Sequence, residues 1–194
     1  MGVGGRVANV HGQKFGSWVG VVAGLAFVAF NVGGLPDPWP VLLWTAGLVA
    51  AALVAIVIAR APAAVAEPPS RRAIRVYGWC VTAMIVAIPV GASLLNGPLD
   101  APELTVVWVI AVVGAHFLPF AGAFEAPVFR SLAWTLLAVA AVGAAATLLI
   151  GKDAAPATAV VAGFVLLGFA ALGARSGGAG IRSLRAEGDR TPGQ

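Results

Sequence analysis

His116 is the residue of this chain best equipped to do chemistry inside an apolar setting. It lies in Gly114-Ala115-His116-Phe117-Leu118-Pro119-Phe120, within an apolar run that begins near Leu104. An imidazole gains and loses protons close to neutral pH, so small changes around it alter its charge. Pro119 has no N–H to give to the carbonyl of Ala115, and its ring disturbs the preceding turn. A carbonyl freed in hydrocarbon must find another donor or line a cavity. Together the two residues predict a kinked, polar spot that could serve as a proton-titratable ligand or gate.

Pro89 frees the carbonyl of Ile85 in the same way, with Ser93 and Asn96 one and two turns onward. Asn31, Thr45 and Thr135 complete a short inventory of polar groups inside apolar runs. The expected substrate-binding or gating set is therefore His116, Pro119, Asn31, Ser93, Asn96 and Pro89. A plainer reading stands beside it, in which neutral His116 makes one interhelical hydrogen bond and only specifies packing. An ionisable residue within a membrane span is a functional hypothesis by default.

Catalysis is not expected. A metal site needs three or four His, Cys or carboxylate ligands, whereas His11 and His116 are the only histidines and Cys80 the only cysteine. A single cysteine also excludes an intrachain disulfide. Ser93 is the one spare serine within a span and has no hydrolase signature around it. Phosphate-cradling and dinucleotide fingerprints are missing too, so no cofactor is implied.

The elements that must position these residues follow from composition. Of the 194 residues, 60% are apolar and only 10% charged, against about a quarter charged in a soluble domain. Such a chain cannot solvate a globular surface, so its partner is the lipid bilayer. The net charge of +4 would suggest nucleic acid in a soluble protein, but the modules that read nucleic acid are absent. A span takes about 20 mainly apolar residues. Six segments qualify: Ser17–Leu35, Pro40–Ala59, Val76–Leu95, Leu104–Ala123, Ser131–Ile150 and Thr158–Ala174. A barrel would instead alternate apolar and polar residues in shorter segments. The expected fold is an all-α membrane protein, a compact bundle of six transmembrane helices.

Charge placement orients it. Arg6, Lys14, Arg60, Arg71, Arg72, Arg75, Arg130, Arg175, Arg182, Arg185 and Arg190 all fall on one side if the spans alternate, and only Lys152 on the other. Basic residues remain cytoplasmic, which predicts a multi-pass protein of the plasma (inner) membrane with both termini inside. The run from Trp18 to Leu35 is longer than a signal-peptide core and lacks a convincing cleavage site, so it reads as a retained span. Residues 1–175 are expected to form one six-span domain, and residues 176–194 a flexible cytoplasmic tail rich in glycine and charge.

The acids read as helix starts. Asp37-Pro38 suits an N-cap and first helical position, and Asp100 with Glu103 has the capping-box spacing. Asp153 precedes Pro156, and Glu125 precedes Pro127, in a similar manner. In the first span, Gly16-x-x-x-Gly20-x-x-x-Gly24 is a ridge that admits a close helix, either within the chain or in a homo-oligomer. Trp39, Trp79 and Trp108 lie near span ends and fit an aromatic belt.

Shifting the chain by 90 residues aligns positions 18–51 with 108–141 at twelve identities, including Trp18 with Trp108, Phe27 with Phe117, Phe30 with Phe120 and Trp44 with Trp134. The third and sixth spans match poorly. A repeat after three spans inverts the topology, here as 16–96 and 104–175, and such pairs place a site where broken helices meet near the midplane. His116 and Pro119 would then stand where the first half has Ala26 and Ala29. The leading expectation is a permease or channel-like protein for a small solute, with a proton-linked site at His116. The alternative is a non-transporting accessory, scaffold or stress-related membrane protein.

Overall fold

Small residues decide how this chain packs. Between helices in lipid there is little hydrophobic drive, because acyl chains are as apolar as leucine, and close van der Waals contact takes its place. The computed structural model describes residues 10–61, 70–124 and 126–188, with the side chains of 10–15 and 176–188 outside that description. Six helices are long and apolar enough to cross a membrane. They are α1 (Val10–Asn31), α2 (Trp39–Arg60), α3 (Arg71–Asn96), α4 (Thr105–Ala123), α5 (Pro127–Leu149) and α6 (Ala154–Gly188). The chain is an all-α, multi-pass membrane protein.

The alanine- and glycine-rich α6 is the axis of the bundle. Ala155, Ala159, Ala162 and Leu166 on one of its faces meet Val107 and Ile110 of α4 and Leu132, Leu136 and Ala140 of α5. Leu167, Ala170 and Ala174 on the other meet Val21 of α1 and Ala51, Val54 and Ile58 of α2. Half of the α6 span is buried, against 6% of the α3 span. A Cβ added at Gly24 would come within 2.7 Å of the Gly163 carbonyl, and one at Gly20 within 3.1 Å of Ala170. The ridge in α1 therefore serves packing within the chain at Gly20 and Gly24, while Gly16 faces open space.

Helices that follow one another in the chain run antiparallel, as do α1 and α6. Gly20 meets Ala170 while Gly34 meets Pro156, Gly91 meets Trp108 while Asn96 meets Thr105, and Gly114 meets Ala133 and Leu136. Successive helices thus alternate in direction, and the helix ends gather at two faces of the bundle.

Several expectations need correcting. The helix α3 starts at Arg71 and α5 at Pro127, earlier than Val76 and Ser131, because arginine stems and the starting proline extend the helices past the apolar run. Asp37, Asp100 and Glu103 do not cap, while Asp153 stands immediately before α6. Pro38 is the N-cap of α2 and Leu104 that of α4, neither with a side-chain cap bond. After α3 the chain folds back on itself first: Leu99 and Ala101 N–H groups donate to the Leu94 and Leu95 carbonyls at 3.0 and 2.8 Å. Asp100 adopts a left-handed φ of 44° in this turn, and a short 3₁₀ segment, Pro102–Leu104, precedes α4. The turn satisfies the carbonyl end of α3, so Asp100 and Glu103 stand short of the start of α4. The only side-chain cap bond among the described residues is at α3, where Ser70 Oγ accepts from the Ala73 N–H at 3.1 Å. Glu125 lies outside the described residues. Residues 176–188, expected in a flexible tail, continue the helical backbone of α6.

The helices that an inverted repeat would exchange are not packed alike. The sixth is central; the third rests mainly on α4. Gly24 packs on α6 but its counterpart Gly114 on α5. Phe30 is 87% exposed whereas Phe120 is 7% exposed. Thr45 and Thr135 do make the same local bond, each donating at 2.8 Å to the carbonyl four residues earlier.

Candidate functional site

The histidine sits on α4, eleven residues after Thr105, which puts it about 16 Å along the helix. Its side chain is half-buried and its Nδ1 bonds the carbonyl of Val113. A carbonyl can only accept, so Nδ1 carries a proton, and in the neutral ring Nε2 keeps its lone pair. That bond stays within α4, so it fixes the tautomer without tying His116 to another helix.

Two aromatic rings of its own helix lie against it. The imidazole lies 4.0 Å from the Phe117 ring centroid and 5.3 Å from that of Phe120, the latter edge-on. Phe117 stacks on Phe129 of α5 at 5.8 Å, and Phe120 stacks on Tyr77 of α3 at 5.6 Å. Phe124 joins through Phe120 and Phe129, at 5.6 and 6.5 Å. Edge-to-face and offset pairs of this kind add about 0.5–1.5 kcal/mol each beyond the area they bury. The cluster ties the start of α3 and the start of α5 to the end of α4.

The other expected site residues are elsewhere. Asn96 lies at the far end of α3, donating to Thr105 Oγ1 at 2.9 Å and to the Ala92 carbonyl at 2.7 Å. Asn31 closes α1 at that same end by donating to the Phe27 carbonyl at 2.8 Å. Ser93, one turn before Asn96, is exposed. These three are not gathered around His116, because α3 runs antiparallel to α4 and carries its polar residues to the opposite end. Pro119 and Ala115 are both exposed, so the carbonyl freed by the proline lies on the outer side of α4 rather than in the interior.

The residues on either side of Pro89, Ala87 and Gly91, make a contact that the sequence did not reveal. Two residues on, Gly91 lacks a side chain where the Trp108 indole lies, and a Cβ there would fall 2.0 Å from Nε1. The indole N–H donates to the Ala87 carbonyl at 3.0 Å. Trp108, expected as a belt residue, thus bonds α4 to α3. A buried or lipid-facing indole needs an acceptor, and the glycine beside a proline in α3 was the one available clue. Tyr77 and Phe129 were missed because rings brought together from three helices leave no spacing in the sequence, whereas Phe124, four residues after Phe120, carries a helical spacing that could have found it.

No protein-family model matches this chain, and neither a curated relative nor a solved structure matches it.

Proposed function

We propose that this protein is a small permease or channel-like protein for a small solute, with His116 as its proton-linked site. The observation that carries this reading is the state of the imidazole. Its Nδ1–H is spent on Val113, leaving Nε2 with a lone pair at a half-buried position between aromatic rings. Such a nitrogen can accept a hydrogen bond or a proton from a passing solute, and the rings form an apolar wall. Phe117 and Phe120, backed by Phe129 and Tyr77, replace Asn31, Ser93 and Asn96 as the neighbours in this mechanism. The α3 helix, seated mainly on α4, is the element whose displacement would open that wall. In this reading the basic end faces the cytoplasm of the cell.

The test uses purified protein in sealed proteoliposomes. Stopped-flow light scattering follows entry of a panel of small neutral and weakly basic solutes at several pH values. Folded wild type should pass one class in a pH-dependent manner, and His116→Ala should lose that flux while remaining folded. His116→Gln, which cannot titrate, should abolish the pH dependence. Unchanged flux and pH profile in both folded variants would overturn the site.

A non-transporting accessory role is the second reading, favoured by the peripheral α3. Only 6% of its span is buried, a surface that a membrane partner could cover. Under this reading the His116 variants lose some stability and keep the role.

A further inference from the structure

His116 has no carboxylate to face within its own bundle. Helices α1 to α5 contain neither aspartate nor glutamate. Glu125 follows the end of α4, and Glu187 stands well past Arg175, where α6 leaves its apolar span. The α4 helix packs on α3, α5 and α6. Among the described side chains, the ionisable ones on those three helices are Arg71, Arg72, Arg75, Tyr77 and Cys80 of α3, Arg130 of α5 and Arg175 of α6. None is a carboxylate, and Tyr77 stacks on Phe120 rather than on the imidazole. An imidazolium at His116 thus has no counter-charge from these helices, and a charge taken from water without a partner is costly.

Hydrogen bonding narrows what could supply one. With Nδ1–H spent on the Val113 carbonyl, the neutral ring offers a solute an acceptor at Nε2 and no donor. Phe117 and Phe120, the rings against it, add neither. A neutral amine is a poor N–H donor, and an ammonium ion would meet no carboxylate. An undissociated carboxylic acid is a strong O–H donor, and on giving up its proton it becomes the missing counter-charge. His116 also lies nearer the arginine end, seven residues before the last residue of α4 and eleven after its first. Orientation by itself accounts for those arginines, but their field gathers anions at that end all the same.

We infer that the solute is a small aliphatic monocarboxylic acid that crosses together with its proton, which rests on His116 being the site of a permease. Undissociated, such an acid is one of the small neutral solutes of that reading. Its carboxyl O–H donates to Nε2. The O–H bond then breaks as an N–H bond forms, leaving a carboxylate paired with an imidazolium through a charge-assisted hydrogen bond. The pair is neutral overall. Return of the proton to the carboxylate frees the acid and restores the neutral ring. The alkyl group lies against Phe117 and Phe120, where a second carboxyl would find no group to meet it.

The experiment uses the full chain in sealed proteoliposomes loaded with the pH-sensitive dye pyranine, with protein-free liposomes setting the passive rate. Acetate, succinate and methylamine are added in turn by stopped flow, and glycerol entry is followed by light scattering. Entry of an undissociated acid acidifies the lumen and entry of an amine alkalinises it, so the sign of the signal identifies the class. Wild type should acidify with acetate well above the passive rate and leave the other three solutes at theirs. His116→Gln, whose amide cannot take up a proton, should lower the protein-dependent acetate rate about tenfold or more, with circular dichroism confirming that it is folded. A potassium diffusion potential set with valinomycin should leave the wild-type rate unchanged. Acetate entry that follows that potential, or succinate entry as fast as acetate, would overturn the inference. His116-dependent flux of methylamine or glycerol without acetate flux would overturn the substrate class and keep the permease. No His116-dependent flux of any of the four would overturn both.

Discussion

At the scale of single residues, this protein couples its polar groups to neighbours that are close in sequence. Asn31, Thr45, Thr135, Thr147 and Thr158 all donate to the carbonyl four residues earlier, which satisfies them in lipid without linking helices. The Trp108 indole is different, because its N–H crosses from α4 to the Ala87 carbonyl in α3 at 3.0 Å. That bond exists only because Gly91 leaves room for the ring. Gly91→Ala would drive the indole out and break the bond, costing about 1–3 kcal/mol through overpacking and the lost donor. Trp108→Phe keeps a ring and loses the donor, at about 0.5–2 kcal/mol. Because both changes act on one contact, the double variant should cost less than the sum of the two singles. Equilibrium unfolding in mixed micelles measures this, and strict additivity would mean that the contact does not hold α3 in place. The chemical type of His116 was legible from its isolation in an apolar run. Phe117 and Phe120 beside it were legible too, but the rings that back those two, Tyr77 in α3 and Phe129 in α5, were not.

At the scale of the helix, the six spans were readable because length and apolarity alone decide whether a segment can cross a bilayer. Their ends were less so. Acid-plus-proline patterns suggested caps, yet the turn after Asn96 uses its N–H groups on the carbonyls of α3 instead. Partner choice was also hidden, because a glycine ridge records that some helix comes close and not which one. The structure assigns α1 to α6, and this yields a comparison within one helix. Gly24→Val would place branched atoms against the Gly163 carbonyl, which even a Cβ would approach within 2.7 Å. Gly16→Val meets nothing within 4 Å. Gly24→Val should therefore lose several kcal/mol or fail to fold, on the order of the larger overpacking costs. Gly16→Val should stay within about 1 kcal/mol of wild type. Resistance to SDS-induced unfolding ranks them, and equal sensitivity would remove α1–α6 contact as the centre of the bundle. The shifted self-alignment reads well across α1 and α4 but ends in unlike surroundings, since α6 is enclosed by four helices while α3 leans mainly on one.

At the scale of the molecule, alternate helix directions turn a linear distribution of charge into a polar object. Among the residues whose side chains are described, the arginines occupy one end and the carboxylates the other, although in sequence they are interleaved. Cationic loops resist translocation, so the arginine-bearing end should be retained on the cytoplasmic side. With one native cysteine, Cys80, a Cys80→Ser background allows single reporters to be placed at will. Lys152→Cys, in the turn between α5 and α6, should react with a membrane-impermeant maleimide in intact cells. Arg72→Cys, at the start of α3, should react only after the cells are opened. The opposite pattern would reverse the assignment and set the aromatic cluster of His116 on the outer side. Labelling of both positions in intact cells would mean mixed insertion, which the six-to-one division between the two ends of the basic residues with described side chains argues against. Arg72 also reports on α3 itself. This helix has the least buried span of the six, so the tether to α4 through Trp108, Tyr77 and Asn96 must hold its register against lipid on the remaining sides. If Gly91→Ala loosens that tether, maleimide should reach Arg72→Cys at the same side but at a changed rate, linking a single missing side chain to the movement of a whole helix.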